Sequence, residues 1–218
     1  NNLAISQMYG FGQSTTNPNL LITGWQDNGT NLYDGNWGQT MGGDGMLAFI
    51  SHSNNNNMWG SQYNGSLNKS TNGGNSWQSA TNGISEAGAW VTPWIEDPLT
   101  ANTIWAGFIN VWKSTNGGTS WTKKSAFTNQ GTLNAIAVSK ADNNVIWAAK
   151  SAGLYVTSNG GTNWTTISSL PPGTISAIEC SNTDPNKAWV TFSGFTNANK
   201  VFQTNDQGAT WINLSSSI

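Results

Sequence analysis

Short runs of apolar residues, bounded by Gly, Asn or Pro, follow one another along the chain and predict β-strands. The clearest set covers residues 134–138, 145–149 and 153–157, where β-branched and other apolar residues dominate. No stretch shows a sustained period of about 3.6 residues with caps at both ends, which an amphipathic helix requires. The pattern therefore predicts an all-β protein built from short strands.

A short segment of small polar residues that ends in Trp occurs four times. The copies are STNGGNSW at 70–77, STNGGTSW at 114–121, TSNGGTNW at 157–164 and TNDQGATW at 204–211. Their final Trp residues are separated by 44, 43 and 47 positions, and a shortened copy, DGNW, occupies 34–37. A period near 44 divides the chain into five repeats, approximately 1–40, 41–84, 85–130, 131–172 and 173–218.

A second column of Trp residues keeps the same period, each of them three positions after an Asn. Its members are Trp59, Trp105, Trp147 and Trp189. Four short strands in each unit of about 44 residues are typical of a β-propeller blade. We expect one propeller domain over residues 1–218, with its first strand at 4–8. The five blades either close without overlap of the two termini or form an arc of a larger propeller. Because uncapped end blades would expose strand edges and an apolar face, we expect a segment of a larger propeller.

The repeated segment follows the pattern Ser/Thr-x-Asp/Asn-x-Gly-x-Ser/Thr-Trp, which resembles the Asp-box, or bacterial neuraminidase repeat. That repeat occurs in the propellers of sialidases, sortilin-like receptors, photosystem assembly factors and xyloglucan-cleaving glycosidases. QDNG at 26–29 and GGDG at 42–45 further resemble secreted Bacteroidetes propellers of the sortilin and xyloglucanase type. The resemblance covers the whole chain and implies a propeller in which each box is a structural hairpin. Its structural residues would be Asn72, Trp77, Asn116, Trp121, Asn159, Trp164, Asp206 and Trp211.

The composition excludes several classes of protein. Only 8% of the residues are charged, all eight basic residues are Lys, and the net charge is −2. Without a basic stripe, we expect no nucleic-acid partner. The resemblance implies that a sialidase would grip its substrate with three Arg, and this chain has none. One Cys (Cys180) and one His (His52) predict neither a metal site nor a cofactor.

Localisation also follows from composition. No apolar run approaches the roughly 18 residues that would predict a membrane span. Sparse charge combined with many hydroxyl and amide side chains favours an extracellular or cell-surface protein.

Removing what every repeat carries leaves Trp90 and Trp94 as candidate binding residues. They are four positions apart on the predicted first, innermost strand of the third repeat, so they would point to one face. Glu86 precedes them, and Asp44 occupies a similar place in the second repeat. Indole faces stack on sugar rings and carboxylates bind hydroxyls, which suggests a ligand surface at the channel mouth. The alternatives are that both Trp residues pack between blades and that Asp44 forms a turn.

Two functions are consistent with these residues. The first is a non-catalytic propeller of a secreted or cell-surface bacterial protein that binds a glycan or a protein partner. The alternative is part of a polysaccharide-cleaving glycoside hydrolase that uses Asp44 and Glu86 as paired acids. The resemblance implies that such enzymes divide the two acids between two propellers, so one segment would supply at most half a site. A third interpretation is a spacer or adhesin module without a discrete ligand site.

Overall fold

Five four-stranded antiparallel sheets make up the protein. The computed structural model describes residues 5–128, 131–151, 153–195 and 199–215. The first sheet contains β1 (Met8–Gln13), β2 (Leu20–Trp25), β3 (Gly29–Asp34) and β4 (Trp37–Met41). The second contains β5 (Ala48–Ile50), β6 (Met58–Ser61), β7 (Leu67–Ser70) and β8 (Gln78–Ser79). The third contains β9 (Trp94–Glu96), β10 (Ile104–Gly107), β11 (Val111–Ser114) and β12 (Thr122–Lys123).

The remaining two sheets complete the set. The fourth contains β13 (Leu133–Val138), β14 (Ile146–Lys150), β15 (Gly153–Thr157) and β16 (Thr165–Ile167). The fifth contains β17 (Ile175–Cys180), β18 (Ala188–Phe192), β19 (Val201–Thr204) and β20 (Ile212–Asn213). Within each sheet the strands are hydrogen-bonded in chain order. These are propeller blades, and the predicted all-β propeller fold is confirmed.

The first strand of each sheet lies innermost, where neighbouring blades approach each other most closely. Strand β1 packs on β5, and β13 packs on both β9 and β17. At the first of these contacts, a Cβ atom on Gly10 would lie 2.7 Å from the Cα atom of Leu47. A Cβ atom on Gly12 would lie 2.8 Å from the carbonyl oxygen of Ala48. Glycine is therefore required for the close approach of the two backbones.

The core lies between successive sheets, where each second-strand Trp faces the following blade. Trp59, Trp105 and Trp147 are at most 2% exposed. The indole N–H of Trp59, for example, donates to the carbonyl oxygen of Gly117 in the next sheet at 3.1 Å. Trp189, at the same position in the fifth sheet, is only partly buried. Among the described residues, no following blade packs on the face of the fifth sheet that carries Trp189, whereas a following blade covers the other three Trp residues.

In the part of the chain that the structure describes, the first and fifth sheets show no strand packing of the kind that joins β1 to β5 or β13 to β17. Trp37 on the first sheet is 47% exposed, and Ile212 on the fifth is 52% exposed. Among the described residues, no hydrogen bond or ring contact joins these two sheets. Within the described residues, the first and fifth sheets therefore do not cover each other's apolar side chains.

Each full box is the hairpin between the third and fourth strands of its blade. In the second box, the hydroxyl oxygen of Ser114 accepts the amide hydrogens of Asn116 at 3.3 Å and Gly118 at 2.8 Å. Gly118 has a φ of +89°, which favours glycine. The indole of Trp121 donates to the carbonyl oxygen of Ala80 in the preceding sheet at 2.8 Å. The box therefore shapes a turn and ties two blades together.

Candidate functional site

The two off-repeat tryptophans do not share a strand. Strand β9 begins at Trp94, and Trp90 lies in the connection before it. The chain turns between them, because the hydroxyl of Thr92 bonds the carbonyl oxygen of Ala89 at 2.8 Å and Pro93 supplies no amide hydrogen. The predicted spacing on one strand face is therefore wrong. Trp90 is 48% exposed and Trp94 is 4% exposed.

Trp94 belongs to the core between the second and third sheets. Its ring meets Phe49 edge-on at a centroid distance of 4.9 Å, and Phe49 stacks on Trp59 at 5.3 Å. Because only 4% of its surface is exposed, Trp94 offers no face on which a ligand ring could stack.

Trp90 instead forms an exposed pair with a residue of the second sheet. Tyr63 lies in a 3₁₀ turn (Tyr63–Gly65) between β6 and β7 and is 46% exposed. The two rings stack with centroids 5.1 Å apart and planes inclined by 12°. We call Tyr63 and Trp90 the aromatic platform. The sequence indicates Tyr63 only weakly. The connection between β6 and β7, which contains Tyr63, is longer than the equivalent connection between β10 and β11 in the next blade.

Uncharged polar groups hold the aromatic platform in place. The amide of Asn64 donates to the carbonyl oxygen of Trp90 at 3.3 Å. The indole N–H of Trp90 donates to the hydroxyl oxygen of Tyr9 at 3.4 Å, and that hydroxyl donates to Oε1 of Gln26 at 3.0 Å. Tyr9 belongs to the first sheet, and Trp90 lies in the connection that leads to the third, so this chain of bonds links the first and third blades. The aromatic platform therefore lies where the β6–β7 and β8–β9 connections meet.

Glu86 lies in the same connection as Trp90, but its carboxylate is fully engaged inside the third sheet. It accepts hydrogen bonds from the amide and side chain of Asn110 at 2.7 and 2.9 Å and from the Trp112 indole at 3.0 Å. It also pairs with the ammonium of Lys123 at 2.8 Å. Burial raises the pKa of Glu86, but the hydrogen bonds from Lys123, Trp112 and Asn110 outweigh burial and bring the pKa to about 2. Glu86 is thus an ionised structural group.

Asp44 stabilises a turn in the first sheet. Its Oδ1 accepts the amide hydrogen of Asp27 at 2.9 Å, and Asp27 has a φ of +60°. Gly43, directly before Asp44, also has a positive φ, +86°. No hydrogen bond or ion pair joins Asp44 to Glu86, two residues that the structure describes. The two acids are therefore engaged with different partners.

A groove of about 360 Å³ follows the inner strands of the first three sheets and is lined by Phe11, Leu47 and Ile95, with His52 and Lys140 among its polar residues. Within the part of the chain that the structure describes, no three His, Cys, Asp or Glu side chains converge as metal ligands.

Comparison with solved structures identifies the fold. An ancestral GH74 enzyme is 19% identical, with a TM-score of 0.82 over 100% of this chain and 32% of its own. YCF48 bound to D1 peptide is 14% identical, with a TM-score of 0.68 over 100% of this chain and 72% of its own. The extracellular domain of a B. thetaiotaomicron protein is 16% identical, with a TM-score of 0.68 over 89% of this chain and 27% of its own. The fold is that of these propellers, and the chain spans about a third of the GH74 structure.

The sequence itself places the chain in a family. A family model described as Sortilin, neurotensin receptor 3 (Sortilin-Vps10) matches residues 109–218, which is half of the chain. The chain belongs to this family, and the resemblance to Asp-box propellers is confirmed. No curated protein matches the sequence. Over the described residues, no helix has the length and apolar character needed to cross a membrane.

Proposed function

We propose that this chain is a non-catalytic binding propeller of a secreted or cell-surface bacterial protein, and that its ligand is a glycan held on the aromatic platform. The observation that carries the proposal is the stacked pair of Tyr63 and Trp90, each about half exposed. Both residues fall outside the repeat columns, so the propeller scaffold gives no reason for them.

The chemistry of the aromatic platform suits a neutral sugar. An indole or phenol face can stack on the C–H face of a pyranose ring, and such aromatic contacts contribute about 0.5–1.5 kcal/mol beyond area burial. The polar groups that the hydrogen bonds link to the platform are Tyr9, Gln26 and Asn64, which carry no charge. They can bond sugar hydroxyls and offer no cation that would attract an acidic ligand.

The state of Glu86 argues against catalysis by the paired acids. A general acid at neutral pH needs a raised pKa, whereas the pKa of Glu86 is lowered to about 2 by bonds that occupy both oxygens. Asp44 in turn is engaged with the amide of Asp27. Binding is therefore the better-supported function of this surface.

Secretion is supported by composition and by one of the similar structures. The chain has 8% charged residues and many hydroxyl and amide side chains. The similar B. thetaiotaomicron structure is that of an extracellular domain.

The test is a glycan array followed by binding measurements on variants. The array should include xyloglucan oligosaccharides, because a structurally similar Xanthomonas campestris protein is a xyloglucanase. We expect specific hits that weaken at least tenfold in Trp90→Ala and Tyr63→Ala. Trp37→Ala is the matched control, since Trp37 is 47% exposed but packs on Trp25 and Tyr33 in the first sheet.

Three outcomes would overturn the proposal. The first is equal weakening by Trp37→Ala. The second is a blank array from a protein that captures a polypeptide ligand through Trp90, because that result would assign the platform to a protein partner. The third is hydrolysis of the bound glycan that disappears in Glu86→Gln while the variant keeps its fold, because that result would make the chain catalytic.

A further inference from the structure

The dipeptide Asn-Gly occurs six times in the described residues, and its environment differs from site to site. The six asparagines are Asn28, Asn64, Asn72, Asn82, Asn116 and Asn159. In this dipeptide the glycine amide nitrogen can attack the preceding side-chain amide, because glycine has no Cβ to obstruct the approach. The reaction requires a free amide nitrogen and a chain that can rotate into position.

At the three Asn-Gly sites inside boxes, hydrogen bonds hold both the glycine amide and the asparagine side chain. Each box glycine donates its amide hydrogen to the carbonyl oxygen of an Asn in the same blade: Gly73 to Asn56 at 3.0 Å, Gly117 to Asn102 at 2.7 Å and Gly160 to Asn144 at 3.0 Å. The box side chains are also held. Oδ1 of Asn116, for example, accepts both the hydroxyl of Ser114 at 2.9 Å and the amide of Ser120 at 2.9 Å.

Two further sites are constrained in other ways. The side-chain amide of Asn28 donates to the carbonyl oxygen of Gln26 at 2.9 Å, and the following glycine is buried. Asn64 has a φ of +57° and a ψ of +34° inside the 3₁₀ turn, and Gly65 is buried against Phe108.

Asn82 lacks these constraints. Asn82 and Gly83 are both exposed, in a turn closed by the amide of Ile84 bonding the carbonyl oxygen of Thr81 at 3.0 Å. Among the described residues, the amide of Gly83 has no hydrogen-bond acceptor, and no atom lies within 4 Å of where its Cβ would stand. The Asn82 side chain makes one long bond, to the carbonyl oxygen of Thr119 at 3.5 Å.

We propose that Asn82 is a site of spontaneous deamidation, while the box asparagines are protected by the fold. The amide nitrogen of Gly83 attacks Cγ of Asn82 and forms a new C–N bond. The bond from Cγ to the side-chain nitrogen breaks, and ammonia leaves with the proton from the Gly83 nitrogen. Water then opens the cyclic imide at either carbonyl, which gives aspartate or isoaspartate.

The modification changes the segment that leads to the aromatic platform. It adds one negative charge to a chain whose net charge is −2, four residues before Glu86. The isoaspartate product also inserts an extra methylene into the backbone of the connection between the second and third sheets. The modified protein therefore differs from the fresh one in both charge and linker length.

The test is peptide mapping of the native protein after timed incubation at pH 8 and 37 °C in ¹⁸O-labelled water. Tandem mass spectrometry assigns each amide-to-acid conversion to a residue. We expect Asn82 to convert at least about tenfold faster than Asn72, Asn116 and Asn159, the factor that one to two lost hydrogen bonds represent. Asn82→Gln should remove the fastest conversion, because a Gln side chain cannot form the same five-membered imide.

A second incubation, in denaturant, tests whether the fold causes the difference in deamidation rate. In the unfolded chain, Asn72 and Asn82 are each followed by an unconstrained glycine, so their deamidation rates should become similar. A native protein in which Asn82 converts no faster than the box asparagines would overturn the proposal. So would a rate difference of the same size in the unfolded chain, because the fold would then not be its cause.

Discussion

Replacing Glu86 with Gln should make the protein's stability much less dependent on acid pH. The ordinary pKa of this carboxyl is 4.5, and in the folded protein burial is outweighed by bonds from Lys123, Trp112 and Asn110, so that the pKa falls to about 2. A group whose folded pKa is depressed stabilises the fold above its unfolded pKa and loses that contribution as pH falls through the folded pKa. The relevant window therefore runs from about pH 4.5 down to about pH 2.

The size of the effect follows from the shift. Each pKa unit corresponds to about 1.36 kcal/mol, so the difference between 4.5 and about 2 corresponds to about 3 kcal/mol at neutral pH. The Glu86 side chain is 11% exposed, so solvent screening is limited. In a chain of this size, that free energy lowers the unfolding temperature by roughly 6–12 °C.

Thermal unfolding followed by tryptophan fluorescence between pH 2 and 7 measures this effect. Glu86→Gln should unfold well below the wild type at pH 7, and the two curves should converge towards pH 2. Glu179→Gln is the matched control, because Glu179 is exposed on β17 and its replacement should leave the profile unchanged. A gap between wild type and Glu86→Gln that stays constant from pH 7 to pH 2 would refute the electrostatic reasoning.

Two further predictions concern stability and reactivity. Trp105→Ala should lower the free energy of unfolding by about 3–5 kcal/mol, because Trp105 is fully buried, and Trp189→Ala should cost less than half as much. If denaturant titrations show that both variants lose the same free energy of unfolding, the conclusion that this face of the fifth sheet is uncovered would be wrong. Cys180 is buried, which raises the pKa of its thiol to about 12, so an aromatic disulfide reagent at pH 8 should label it only after denaturation. Rapid labelling of the native protein would show that the thiol is accessible.

Much of the fold could be predicted from the sequence, because the repeating elements are local. The box turn depends on residues close in sequence, such as Ser114 bonding the amide of Gly118. Such chemistry appears directly as a repeated string. The position of the first strand is harder to predict from the sequence. It was expected at residues 4–8 but runs from Met8 to Gln13, and Ala4 lies outside the described residues. Gly10 and Gly12 disfavour a strand by propensity, yet the approach of β5 requires them.

The candidate site was only partly predictable, because its contacts join different repeats. Removing the repeat columns leaves Trp90 as a candidate, and Trp90 is exposed. Its stacking partner Tyr63 and its hydrogen-bond partner Tyr9 come from other sheets, and no spacing rule connects the three residues. Glu86 was grouped with Trp90 by proximity in the chain, but its bonds to Asn110 place it inside the third sheet.

The measurement that tests the central claim most directly is a two-dimensional ¹⁵N–¹H spectrum of the tryptophan indoles during titration with the strongest array glycan. The indole N–H of Trp90 donates to the hydroxyl oxygen of Tyr9 within the proposed site, so its resonance should move as the ligand binds. Trp90→Ala assigns that signal by its disappearance. The account predicts that the Trp90 resonance shifts while that of Trp37 stays in place. A ligand that shifts Trp37 and leaves Trp90 unmoved would contradict it.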